Sequence, residues 1–246
     1  MRGVPITIPG GAGPLAAVAH IPERTPAPVV VCCHGLLSSK NSEKYVVIGE
    51  EFSRAGLAVV RFDFAGCGDS AAALGENLLA SRVGDLKAVL SYVDGQPWAK
   101  GPVGLLGSSL GGYISLLGAA SDAADGARRR VQAVVCWAAP FDLERIGLSP
   151  EDLENLKQSF PPGFETGSPM NLRALPALPR VLLIHGRRDE IIPWKDAVDL
   201  YNQVGEPRRL LLVETADHRL LDPSCRRLAI RVSLDWLREQ GLLDEG

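Results

Sequence analysis

Gly107-Ser108-Ser109-Leu110-Gly111 sets a hydroxyl between two glycines, after the apolar run 102–106 and before a stretch of helical character. A strand that turns sharply into a helix can present a serine to a site, and the turn crowds the positions two before and two after that serine. Ser109 puts Gly107 and Gly111 at the crowded positions, whereas Ser108 would put Leu106 and Leu110 there. Ser109 is therefore the candidate nucleophile. A serine hydroxyl is a weak nucleophile until a base takes its proton, and the base needs an orienting group.

Other polar residues gather where predicted strands end. His34-Gly35-Leu36 follows 29–33, the stretch from Asp63 to Ser70 follows 59–62, Asp189-Glu190 comes shortly after 181–185, and Asp217-His218 comes shortly after 210–213. In an open parallel sheet the carboxyl ends of the strands are where ligands bind. Hydroxyl, acid and imidazole thus occur there in the order Ser, Asp, His. His20 and His34 precede Ser109, and His185 lies inside a strand before Asp189, which leaves His218 as the base. Asp189 is the candidate acid, with Glu190 next. Asp217 adjoins His218 and cannot easily turn back on that ring, so it is expected to cap the loop or face solvent.

Two N–H donors must meet the negative charge that develops on a substrate oxygen. They are expected from the backbone of Leu110, directly after the nucleophile, and of Leu36. His34 is expected to steady its loop rather than to move protons. It joins Phe160, Phe164 and Leu172 as the candidate substrate-binding residues. His185-Gly186 reads as a packing pair at a strand end.

The elements that must position these groups alternate along the chain. Strands are predicted at 6–8 and 15–21, joined by a turn over 9–11, and at 28–34, 57–62, 102–106, 131–137, 180–185 and 209–213. Helices are predicted at 43–55, 77–93, 110–120, 194–204 and 223–240 from apolar residues at helical spacing. Such alternation predicts a mostly parallel sheet with helices on both faces. Residues 141–179, acidic and proline-rich, break the rhythm and are expected to form a cap on a core made of 1–140 and 180–246.

The chain has 246 residues, 46% of them hydrophobic, and a net charge of −3, which gives no reason to expect a nucleic-acid partner. No run approaches the roughly 20 apolar residues that a membrane span needs. A cytoplasmic location is expected. The five cysteines, at 32, 33, 67, 136 and 225, are odd in number and three lie in strand-like runs, so buried thiols rather than disulfides are expected. No Cys/His cluster has metal-ligand spacing, and no cofactor is expected.

Together, His34-Gly35, Asp63-x-x-Gly66-x-Gly68-x-Ser70, Gly107-x-Ser109-x-Gly111, His185-Gly186-x-x-Asp189-x-x-Ile192-Pro193 and Asp217-His218 resemble the α/β-hydrolase superfamily along nearly the whole chain. The Arg61-Phe62-Asp63 strand end and the insertion after Pro140 are similar to small bacterial carboxylesterases, among them the cinnamoyl and feruloyl esterases and monoacylglycerol-lipase-like serine hydrolases. The resemblance implies an eight-stranded sheet, Ser109 as nucleophile, Asp189 as orienting acid, His218 as base and a structural role for the loop from Asp63 to Ser70. It implies cleavage of a small-molecule carboxylic ester bearing an apolar or aromatic group. A thioesterase or small peptidase of the same fold is the alternative within the class, and a non-catalytic binding module is the alternative outside it. The basic runs 128–130 and 187–188 could serve a thioesterase entrance or be solvated surface.

Overall fold

The apolar runs pair into one sheet of eight strands in the order β1-β2-β4-β3-β5-β6-β7-β8. The computed structural model describes residues 3–75, 77–124, 130–143 and 172–243. The strands are β1 (Val4–Gly10), β2 (Gly13–His20), β3 (Ala27–Cys33), β4 (Ala58–Phe62), β5 (Ala99–Ser108), β6 (Val131–Trp137), β7 (Val181–Gly186) and β8 (Arg208–Val213). Among the described residues the helices are α1 (Glu43–Arg54), α2 (Leu78–Asp94), α3 (Leu110–Ala124), α4 (Lys195–Gln203) and α5 (Pro223–Glu239). β2 runs antiparallel to β1 and β4, and every later pairing is parallel.

Side chains along each central strand alternate between two cores. Val29, Val31 and Cys33 face a core shared with α2 and α3, including Leu86, Leu90 and Ile114. Val30 and Cys32 face the opposite core, with Tyr45, Ile48 and Phe52 of α1 and Ile230 and Trp236 of α5. Burial on both faces explains why these strands read as unbroken apolar runs rather than alternating ones. Helix ends follow local chemistry. The Asn77 side chain accepts the Ala80 N–H, so Asn77 caps α2 rather than belonging to it. Asp222 caps α5 by accepting the Ser224 and Cys225 N–H groups, with Pro223 at the first helical position.

Several predicted boundaries shift, β1 to Val4–Gly10 and the end of α3 to Ala124 among them. The hairpin turns at Gly11-Ala12, because Gly10 still pairs with Gly13. β5 is longer than 102–106, since Ala99 pairs with Ala27 and Ser108 with Trp137. The β3–β5 register slips between Ala27 and Val29, beside Pro28 and Pro102, whose rings remove ladder donors.

Of the segment expected as a cap, 144–171 lie outside the described residues, and Phe160 and Phe164 with them. Its two ends meet. The Asp142 carboxylate pairs with Arg173 at 2.8 Å, and the N–H groups of Phe141 and Asp142 both point to Asp196 Oδ2. Leu172 is buried in the core beside α3. No described helix is long and apolar enough to cross a membrane.

Candidate active site

Ser109 sits at the junction of β5 and α3 with φ 56°, in the left-handed region that side chains rarely adopt. Its N–H continues the sheet ladder to Trp137 O at 2.8 Å, while its carbonyl accepts the Gly112 N–H at 2.9 Å and so starts the helix. The glycines are sterically required. A Cβ on Gly107 would lie 2.2 Å from Gly111 O, and one on Gly111 would lie 2.0 Å from Cys33 O. Gly107 must be small to clear Gly111, and Gly111 must be small to clear the end of β3.

The loop after β3 lies against the serine. A Cβ on Gly35 would be 3.2 Å from Ser109 Cβ and 3.8 Å from Ser109 Oγ. His34 is fully buried, with Nδ1 donating to Gly35 O at 2.7 Å and Nε2 accepting the Phe64 N–H at 3.2 Å. Burial, helped by the Arg82 charge, pushes its pKa down to about 4, so the ring is neutral and occupied. His34 therefore steadies the loop from inside the fold. Leu172, at 1% exposure, packs in the core. Leu36 is half-buried on the loop itself. Leu110 is the first residue of α3, and its N–H has no carbonyl one turn earlier within the helix.

Asp189 and His218 come together across two loops. His218 Nδ1 lies 2.8 Å from Asp189 Oδ2, and Asp189 Oδ1 accepts the Ile191 and Ile192 N–H groups at 2.9 and 2.7 Å. Burial acts to raise this carboxyl, but hydrogen bonds from His185, His218 and the Ile192 N–H outweigh it and hold the group well below the usual carboxylate range. The loops pack backbone to backbone, since a Cβ on Gly186 would lie 2.2 Å from Ala216 O. Glu190 is exposed and accepts the His218 N–H at 3.3 Å. Asp217 caps the same loop by accepting the Leu221 N–H.

Two residues near the site escaped the sequence reading. His185 is more than a packing partner: its Nε2 lies 3.0 Å from Asp189 Oδ2, so two imidazoles share one carboxylate oxygen. The four-residue spacing across a strand end was the available signal. Lys44, on α1, reaches Ser108 Oγ at 2.7 Å, and nothing in its sequence context marks it. The loop after β4 is built around buried Asp63, which accepts from Lys40 N and Nζ and from Asp69 N. Gly68 has φ 50° there, and a Cβ on it would meet Asp63 Oδ2 at 2.1 Å.

All five cysteines are free thiols, and burial pushes Cys33 up to about 12. Among the described residues no His/Cys/Asp/Glu group is arranged to hold a metal ion.

The chain is similar to known proteins at three levels. It is 28% identical over 231 residues to the rat (Rattus norvegicus) palmitoyl-protein thioesterase ABHD10, mitochondrial, covering 82% of this chain and 73% of the relative. The structure of mouse alpha/beta hydrolase domain-containing protein 10 superposes with a TM-score of 0.70 at 23% identity, over 96% of this chain and 99% of that one. Est1E from Butyrivibrio proteoclasticus with bound ferulic acid gives a TM-score of 0.75 at 18% identity, over 96% and 98%. The model of the family described as serine aminopeptidase, S33, matches residues 24–162. An open, mostly parallel eight-stranded sheet, a serine on a strained strand–helix turn and this match place the chain in the serine aminopeptidase S33 family of α/β serine hydrolases.

Proposed function

We propose that the protein hydrolyses carboxylic esters through Ser109, His218 and Asp189. The observation that carries this reading is the buried Asp189–His218 pair at 2.8 Å, on the sheet edge that also presents Ser109 at φ 56°. Asp189 keeps the Nδ1 proton of His218 in place, so Nε2 is free to take the Ser109 proton. The serine oxygen then attacks the ester carbonyl, and the Leu36 and Leu110 N–H groups hold the oxyanion. His218 returns the proton to the departing alcohol, and water repeats the sequence on the acyl-enzyme.

A thioester is the second reading, favoured by the palmitoyl-protein thioesterases among the relatives. Of the two basic runs considered for a thioesterase entrance, 187–188 is exposed beside Asp189 with Arg187 paired to Glu214, and 128–130 supports it little. Arg128 and Arg129 lie outside the described residues, and Arg130 is paired with Asp94 and Asp122. A fluorophosphonate should label the wild type at Ser109, and an oxygen ester and thioester of the same acyl chain then rank the two readings by kcat/KM. Absence of labelling sinks both. A kcat/KM more than about tenfold higher for the thioester, beyond its modest intrinsic reactivity advantage, reassigns the substrate class.

We also assign 141–179 as a cap over the site, because the Asp142–Arg173 pair closes the base of that excursion. Leu143 and Leu172 pack on the core, so an excision should remove only 144–171 and join the ends with a short Gly-Ser linker. The expected product folds and still hydrolyses p-nitrophenyl acetate. Its kcat/KM for bulky aromatic esters should fall by about 10- to 100-fold more, as each lost apolar contact removes roughly 1–3 kcal/mol of discrimination. Equal losses for both esters would show that the segment supports the fold and does not select substrate.

A further inference from the structure

The first turn of α1 touches the serine elbow directly and the His218 loop through Arg226. Lys44 donates from Nζ to Ser108 Oγ at 2.7 Å, and Ser108 is buried directly before Ser109. One residue earlier, Glu43 pairs with Arg226 Nη1 at 2.7 Å. Arg226 in turn donates to Leu220 O and Leu221 O, at 3.1 and 3.4 Å, in the loop that follows His218. One residue later, the buried Tyr45 hydroxyl donates to Cys33 O at 2.8 Å, the carbonyl that Gly111 must clear. Three consecutive residues therefore reach the serine elbow, the histidine loop and the end of β3.

Lys44 occupies an unfavourable place for a cation. Among the described residues no carboxylate lies within ion-pair distance of its ammonium group. Arg226 of α5 and Arg219 of the histidine loop oppose it, Asp217 offsets them in part, and the Tyr45 ring lies 5.5 Å away. Glu43, its neighbour on the helix, is engaged by Arg226. Lys44 is half-buried, and a charge held partly out of water is costly unless a specific bond compensates, a cost that an apolar chain of the same length would not carry. The bond it does make is to the residue beside the proposed nucleophile.

We propose that Lys44 is a positioning residue which, acting through Ser108, fixes the Ser109 elbow against the His218 loop. This rests on the hydrolase mechanism proposed above. A charged donor makes a stronger hydrogen bond than a neutral one. Burial, with Arg226 and Arg219, lowers the Lys44 pKa to about 8, so the grip is full below that pH and weakens as pH rises through it. Turnover should show the same alkaline fall.

The experiment measures kcat and KM for p-nitrophenyl acetate between about pH 6 and 10, with Tm, for the wild type, Lys44→Met, Lys44→Arg, Ser108→Ala and the Lys44→Met/Ser108→Ala double variant. Lys44→Met should lower kcat by about 10- to 30-fold with KM changed less than about twofold, as expected when only transition-state geometry is lost. Ser108→Ala should cost about tenfold, and the double variant should be no worse than Lys44→Met alone, because both remove one coupled interaction. Lys44→Arg should keep kcat within about threefold and lose the fall near pH 8, since guanidinium stays charged. Near-wild-type turnover in Lys44→Met, losses that multiply in the double variant, or an unchanged alkaline fall in Lys44→Met each overturn the proposal. If Lys44→Met does not fold, Ser108→Ala decides: reduced kcat with the alkaline fall removed supports it, and a wild-type profile overturns it. A wild type that neither labels with fluorophosphonate nor turns over ester overturns the hydrolase mechanism and this proposal with it. An active wild type with an indifferent Lys44→Met overturns only the second.

Discussion

Ser109→Ala should abolish ester turnover, lowering kcat by about 10⁴-fold or more, while Tm stays within a few degrees of the wild type. The reason for the split is local. The Ser109 backbone is fixed by Trp137 O, Gly112 N and the glycines on either side, and none of these contacts uses the hydroxyl. Alanine at φ 56° carries no more strain than serine at the same angle. Removing Oγ therefore deletes the nucleophile and leaves the elbow. Ser108→Ala serves as the register control, and its loss should be smaller by about a thousandfold. Fluorophosphonate labelling must vanish in Ser109→Ala and persist in Ser108→Ala. The reverse pattern would move the nucleophile to Ser108 and discard the steric argument for the glycines.

Asp189→Asn should cost about 10²–10⁴-fold in kcat, and the structure says which way the amide must turn. Asp189 Oδ1 accepts two backbone N–H groups, from Ile191 and Ile192. Asparagine must place its carbonyl oxygen there, because its amide nitrogen has no lone pair to offer. The NH₂ group then faces His218 Nδ1 and His185 Nε2, where the carboxylate presented Oδ2. His218 is driven to accept at Nδ1 and to carry its proton on Nε2, the nitrogen that should take the Ser109 proton. His218→Ala should lose at least as much, since no described side chain replaces the base at that loop. Glu190→Gln keeps an oxygen for the His218 N–H and should stay within about threefold of wild type, as expected for an exposed contact. Near-wild-type turnover in Asp189→Asn with a large loss in Glu190→Gln would transfer the acid role to Glu190.

Much of this fold was legible because its signals are local. Parallel strands buried on both faces have no polar alternative, so 131–137 was readable as β6. The elbow was legible because a sharp strand–helix turn tolerates only glycine at Gly107 and Gly111. Chain order separated His218 from His20, His34 and His185 without any coordinates. Boundaries were less legible where the deciding partner is remote. β5 extends to Ala99 because of Ala27, more than seventy residues earlier in the chain.

The sequence by itself determined the strand–helix alternation, the serine turn and the order of the candidate triad. Each depends on residue type at short range: apolar periodicity, the steric need for glycine, and the sequence positions of strand ends. Only the tertiary structure decided what surrounds those groups. His34 became an interior prop because Phe64 and Gly35 take both its nitrogens. His185 became a second partner of Asp189 because the loop after β7 folds the carboxylate back onto the strand end. Lys44 was drawn to Ser108, sixty-four residues away, because the start of α1 lies within reach of the carboxyl end of β5. Hydrogen bonds and charges act at a few ångströms whatever the separation along the chain, so their partners are fixed only when the strands take their places in the sheet.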